Sequence, residues 1–338
     1  MNWKLDMSRL VRSVRAALLA VVLCLAAESA HAELKTTAVT LGYGKMSPSI
    51  ASDGRRLAFG WSRSDKQGGD IFMVDVTAPD SVIPLAASPK RDNEPVWSPD
   101  GKEIAFMSGR SGDEDIWIYH VETGQARQLT FSPWGPYDRA QEFGAAWSPD
   151  GKRIAYSSDR SGDDDIWWTP AEGGDPVRVT KRTLAFSRDE DRFPSWSPDS
   201  KRIVFTSRRT GNWDLWIATV DDTTIAPVQI TADSTDEWLP AWSPNGRWIA
   251  FVSNRSGSQD IFVMPAEGGA AKQVTQNPLQ DTQPCWSWDG KRIYYAAQRG
   301  SDHGIYVVDG LESLLGSGFA ASSKKPAPAA AEPRASSR

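Results

Sequence analysis

Cysteine and histidine are scarce in this chain, and their scarcity removes several chemistries at once. Of its two cysteines, Cys24 falls in an N-terminal leader, which leaves Cys285 alone and no internal disulfide to form. Of three histidines, His31 lies in the same leader, and His120 and His303 are separated by far more than a metal-ligand spacing. No G-x-S-x-G elbow occurs, so serine-hydrolase chemistry of that kind is excluded. Long apolar runs are missing too. The only candidate, Ala16 to Ala27, is short for a bilayer, follows Lys4, Arg9, Arg12 and Arg15, and precedes the small-residue pattern Ala30-His31-Ala32. Residues 1–32 therefore read as a removable signal peptide, with a mature start near Glu33 and an exported product. Leu23 stands where a lipoprotein signal wants a small residue, so Cys24 does not suggest a lipid anchor.

Positive charge is short in the body of the chain. The whole sequence carries 38 basic and 43 acidic residues, and residues 33–315 hold 30 and 40 of them, a net of −10. An acidic body argues against nucleic acid or an anionic membrane as partner. Export without disulfides means that a sizeable core must supply the stability, and 33–315 is long enough for one. The Ala/Pro/Ser-rich tail, 316–338, has almost nothing to bury and reads as disordered.

What is abundant is tryptophan, sixteen residues, and a phrase that carries it. The cleanest copy is PVWSPDGKEIAFMSGRSGDEDIW, Pro95 to Trp117. It returns around Trp147, Trp196, Trp242 and Trp286, with a weaker copy at Ile50, at spacings of 47, 50, 49, 46 and 44 residues. A period of that size, with several short strands per unit, marks an all-β, six-bladed β-propeller with four-stranded blades. In the second unit the strands are expected at Glu94–Ser98, Glu103–Ser108, Asp115–Val121 and Ala126–Thr130. Runs such as Ile104-Ala105-Phe106 are apolar on both faces, as strands between neighbouring blades should be. In Ser98-Pro99-Asp100-Gly101, Pro presets φ, Asp can bond its own backbone and Gly accepts φ > 0, which makes a tight turn. The sixth unit lacks a good fourth strand after Asp309. Thr36–Leu41 resembles the missing one, so the N-terminal strand is expected to close the ring.

The W-S-P-D-G-K-x-I-A-F-x-S-x-R-S-G-x-x-D-I-W phrase resembles the WD-like repeat of the TolB C-terminal domain. Prolyl-oligopeptidase-type peptidases use the same repeat in their propellers. The resemblance spans about 34–309 and implies a monomeric, periplasmic, six-bladed propeller (33–315) that binds an envelope protein at its mouth. In TolB that partner is the peptidoglycan-associated lipoprotein Pal. Only about 14 residues separate the cleavage site from the first repeat, so the α/β domain that precedes the TolB propeller has no counterpart, and its contacts with the inner-membrane Tol proteins do not carry over.

Three sets of residues compete for chemistry. The recurring Ser108, Arg110 and Asp115, Ser158, Arg160 and Asp165, and Ser253, Arg255 and Asp260 are expected to tie each hairpin by Arg–Asp bonds, since an active site is not built once per repeat. The clusters Asp113-Glu114-Asp115, Asp163-Asp164-Asp165 and Asp189-Glu190-Asp191 offer oxygen ligands of the kind Ca²⁺ takes, but match no EF-hand-like spacing; no other cofactor is indicated. The third set lies on one face, if the strands run up and down: Asp92, Glu94, Trp134, Tyr137, Arg139, Glu142, Asp191, Arg192, Glu237, Trp238, Asp281 and Gln283. These positions differ between units while the turns of the other face repeat, which is where a scaffold carries recognition. The favoured reading is a protein-binding module in the cell envelope. The alternatives are a carbohydrate-active hydrolase or lyase using channel carboxylates, and a propeller that binds Ca²⁺ or a small ligand.

Overall fold

The computed structural model describes residues 34–41, 44–62, 69–86, 88–131, 140–181, 189–300 and 302–316. Among them are six four-stranded antiparallel sheets and one short helix, Leu311–Leu315. Each sheet is a blade in which neighbours in sequence are neighbours in space. Blade 2 runs Asp92–Trp97, Glu103–Ser108, Asp115–His120 and Gln125–Gln128, from the axis outwards. The innermost strands of successive blades touch one another around a closed ring: Lys45–Ile50, Asp92–Trp97, Glu142–Trp147, Asp191–Trp196, Glu237–Trp242, Asp281–Trp286, and back to Lys45–Ile50. The chain is a six-bladed β-propeller.

Burial follows from that geometry. Second strands such as Glu103–Ser108 and Arg202–Ser207 are buried at every residue but the first, because each face meets another blade. Phe59, Phe106, Tyr156, Phe205, Phe251 and Tyr295, one per blade, are fully buried there. The anchor tryptophans are core residues as well: Trp97, Trp147, Trp196, Trp242 and Trp286 are all buried. The arginine after the tight turn of one blade lies over the tryptophan of the next, Arg56 on Trp97 at 4.7 Å, and Arg153 on Trp196 and Arg202 on Trp242 at 4.9 Å.

The tight turn forms as its residues dictate. Gly101 N–H donates to Ser98 O at 2.9 Å with φ at 70°, and Asp100 Oδ1 accepts from both Ser98 Oγ (2.7 Å) and Lys102 N–H (3.1 Å). The innermost strand begins two residues before the expected Glu94, because Asp92 pairs with Ser108 across a bulge between Asn93 and Val96.

The N-terminal strand closes the ring. Lys35–Leu41 pairs antiparallel with Asp302–Asp309, from Lys35 opposite Asp309 to Leu41 opposite Gly304, and supplies the outermost strand of blade 6. The segment after Asp309 is the helix Leu311–Leu315, whose Leu311 and Leu315 are buried against blades 5 and 6. The seam is also bonded near the axis: Trp288 Nε1 donates to Ile50 O at 3.0 Å, and Gln283 exchanges two bonds with Ser47. Removing residues 34–41 should expose the edge of Asp302–Asp309 and lower the melting temperature by on the order of 10 °C or more. Thermal unfolding followed by circular dichroism tests this, and an unchanged midpoint would contradict the role of that strand.

Candidate binding site at the channel mouth

The face in question holds the start of each innermost strand and the hairpin between second and third strands. Counting from the start of the innermost strand gives three positions with different fates. At the first stand Asp92, Glu142, Asp191, Glu237 and Asp281, all completely buried. Each meets the arginine of its own blade's hairpin: Arg110–Asp92 at 2.7 Å, Arg160–Glu142 at 2.6 Å, Arg209–Asp191 at 2.5 Å, Arg255–Glu237 at 3.0 Å and Arg299–Asp281 at 2.5 Å. In four of the five the serine two residues before the arginine joins them, as where Arg110 Nε donates to Ser108 Oγ at 2.8 Å. These five acids, expected as variable recognition residues, are thus a repeated structural clamp. An acid recurs there in five blades, and a buried carboxylate needs a cation and donors.

The expected Arg–Asp tie within each hairpin is also corrected. The hairpin aspartate is held by the hydroxyl four residues earlier: Ser111 bonds Asp115, Ser161 bonds Asp165, Thr210 bonds Asp214 at 2.7 Å and Ser256 bonds Asp260 at 2.5 Å. The arginine passes it by for the innermost strand. Across the junction to the next blade, Thr130 Oγ1 donates to Glu142 Oε2 at 2.9 Å while accepting from Ile116 N–H at 2.9 Å. Among the described residues, no three or more His, Cys, Asp and Glu side chains converge to hold a metal ion.

Burial on this scale disfavours ionisation. Burial pushes the Glu237 carboxyl up to about 7 and the Asp165 carboxyl up to about 6. Asp115 moves in the same direction, through burial and through the Glu142 carboxyl beside it.

The second and third positions vary from blade to blade, and except for Asn93, buried against Gly60 of blade 1, they are half-buried at the channel mouth. The second holds Met46, Asn93, Phe143, Arg192, Trp238 and Thr282. The third holds Ser47, Glu94, Gly144, Phe193, Leu239 and Gln283, and all six have left-handed φ between 53° and 64°. Five of the six are not glycine, and each bears a steric cost of about 1–2 kcal/mol that the bulge imposes. A Cβ at Gly144 would lie 3.2 Å from Phe193 Cδ1, so a side chain there would require Phe193 to shift.

Four predicted residues, Glu94, Arg192, Trp238 and Gln283, therefore share the axial rim, half-buried. Trp134, Tyr137 and Arg139 lie outside the described residues. The structure adds a cluster that the sequence reading missed. Arg192 lies 5.9 Å from the Phe143 ring and 5.3 Å from the Trp213 ring, and it bonds Asp164 at 2.5 Å and Glu190 at 3.3 Å. Arg208 covers the same Trp213 at 5.2 Å, and Phe143 meets Phe193 edge-on at 5.7 Å. Counting back four and three residues from each anchor tryptophan would have found Phe143 and Phe193. Nothing in the repeat marks Trp213.

Comparison with known proteins agrees with this architecture. Residues 194–316 match the family model of the TolB beta propeller domain, and residues 62–162 match that of the dipeptidyl peptidase IV N-terminal region. The solved structure of a putative TolB from Agrobacterium tumefaciens superposes with a TM-score of 0.60 at 22% identity, over 79% of this chain and 90% of that one. The chain is a TolB-like propeller. The curated sequence relatives include the Protein TolB homolog of Protochlamydia amoebophila (strain UWE25), 38% identical over 69 residues, or 19% of this chain and 15% of that protein. They also include the Uncharacterized peptidase YuxL of Bacillus subtilis (strain 168), 38% identical over 93 residues, or 26% of this chain and 14% of that protein. The chain thus matches about one seventh of the length of these curated relatives, within the repeats. Among the described residues, no helix is long and apolar enough to cross a membrane.

Arg209→Met leaves Asp191 buried without its cation and should cost about 3–5 kcal/mol, whereas Arg55→Met, at the exposed pair with Asp75, should leave the unfolding midpoint nearly unchanged. Urea unfolding of both variants measures the difference. Glu237 and Asp165 ionise less readily folded than unfolded, so their stabilising contribution is present below about pH 4 and is lost as the pH rises through about 6–7. Melting temperature should fall over that window, and less so in Glu237→Gln.

Proposed function

We propose that this chain is an exported, periplasmic adaptor that docks an envelope protein on the mouth face of its propeller, with a peptidoglycan-associated lipoprotein of the Pal type as the first partner to test. One observation carries the reading. The repeated residues of this face are spent on buried clamps, while the residues that differ between blades form a half-exposed aromatic and cationic rim: Phe143, Arg192, Phe193, Arg208, Trp213 and Trp238. Aromatic and arginine side chains, anchored but still accessible, are the usual carriers of interface energy. The likeness to TolB propellers supports an envelope partner, and the leader at 1–32 supports export.

A two-carboxylate hydrolase needs two acids facing one bond. Of the residues at the second and third positions of the innermost strands, Glu94 alone is acidic, so these positions supply one of the two carboxyls that this alternative needs.

Affinity capture from solubilised envelope, with residues 33–338 as bait, tests the docking. Arg192→Ala/Trp238→Ala is the control bait, because Glu142 and its equivalents are structural and their loss would unfold the face. A lipoprotein retained by the parent and reduced at least about tenfold on the control is the expected result, the loss of roughly one hot spot. Equal retention by both baits would place the docking elsewhere.

A further inference from the structure

We infer that the channel carries a site for an organic cation, in which Glu94 receives an ammonium or guanidinium group borne on an apolar segment of the docked partner. This deepens the docking reading and rests on it.

The carboxylates of the face are not equal. Asp92, Glu142, Asp191, Glu237 and Asp281 each have an arginine within 3.0 Å. Glu94 has none: among the described residues no cation lies within ion-pair distance of it, and its hydrogen bond is from Gly144 N–H to Oε2 at 2.8 Å. That bond does not need a charge. Four blades further on, Gln283 makes the equivalent one, its Oε1 accepting Ser47 N–H at 2.7 Å from the same position and the same left-handed backbone. An amide therefore performs the structural task, yet a carboxylate stands at Glu94.

Its surroundings oppose the charge. Burial raises the Glu94 carboxyl, Glu114 adds to the effect, and Arg91 offsets part of it from a distance. A carboxylate kept where an amide would serve, two residues inside the mouth or about 7 Å along the strand, is a counter-ion in want of a cation.

The rest of the wall says what kind. Gln283, Ser47 and Glu94, on blades 6, 1 and 2, form a polar half. Phe193 and Leu239, on blades 4 and 5, form an apolar half, with Phe143 and Trp238 above them at the second position. A hydrated metal ion has no use for the apolar half. An alkyl-borne ammonium or guanidinium uses both, with its charge on Glu94 and its stem along the rings.

The test is a titration of the mature protein, followed by nuclear magnetic resonance, with n-butylguanidinium, n-butylammonium and the blocked peptide acetyl-Leu-Arg-Phe-amide; n-butanol is the neutral control. The cations are expected to bind and the alcohol not to. Glu94→Gln, which retains the Gly144 bond, should weaken the cations about tenfold or more. Arg55→Ala, at an exposed turn away from the channel mouth, should not weaken them. A peptide that binds far more tightly than the small cations is the expected result, and equal affinity overturns the assignment to a partner's side chain. Unchanged affinity in Glu94→Gln, or no binding by the parent, overturns the cation site. Should Glu94→Gln fail to fold, the parent itself decides, because its affinity must fall from pH 8 to pH 4 as Glu94 protonates; equal affinity at the two pH values also overturns the site. Capture and titration fail separately: cation binding without a captured partner sinks the docking reading alone, and a captured partner with unaltered cation binding in Glu94→Gln sinks this one alone.

Discussion

A blade of this propeller is apolar on both faces, so it is stable only between two neighbours, and that condition is met for all six only if the ring shuts. The antiparallel pairing of Lys35–Leu41 with Asp302–Asp309 is where it shuts. Without it, blade 6 would lack an outermost strand and Asp302–Asp309 would present a free edge. The axial seam alone, three bonds through Trp288, Gln283 and Ser47, joins residues 236 to 238 positions apart. Contacts of such long range are favourable only after most of the chain has been ordered, which makes closure a cooperative event.

Within the closed ring, the mouth face does two jobs with adjacent residues. The first residue of each innermost strand, in five blades, is an acid turned into the protein and clamped by arginine, with serine or threonine hydroxyls completing most of the clamps. The next two residues, Asn93 apart, are half-buried at the mouth. Because the clamp holds the strand and the bulge fixes a left-handed residue in it, the axial side chains are presented from a rigid backbone. Side chains at these positions range from Gly144 to Trp238, and of them Gln283 and Ser47 also bond the seam.

The channel-facing strand edge also explains its prolines. Pro48, Pro95, Pro194, Pro240 and Pro284 follow the left-handed residue in five blades. An innermost strand has no partner on its axial side, so a missing N–H there costs no ladder bond. Blade 3 has Ala145 at that position and Gly144 before it, and it is there that Phe193 leans in from blade 4.

Much of this was legible beforehand, for a definite reason. The period of the tryptophan phrase, the Ser-Pro-Asp-Gly turn and the twice-apolar strands are local signals, and local signals repeated six times specify blade count, strand order and even the orphan strand that closes the ring. The amino-acid sequence by itself determined that much. It could not say which way a given side chain faces. Asp92 and Glu94 looked alike as loop-face acids, yet one is wholly buried against Arg110 and the other lines the channel. A bulge of one residue separates their fates, and a bulge depends on the register between two strands, not on either strand alone. Likewise Arg192 meets Phe143 from the blade before and Trp213 from a hairpin of its own blade, a meeting of three segments that adjacency in sequence does not bring together. Tertiary structure decided the rim because recognition here is assembled across blades, whereas the repeat is written within them.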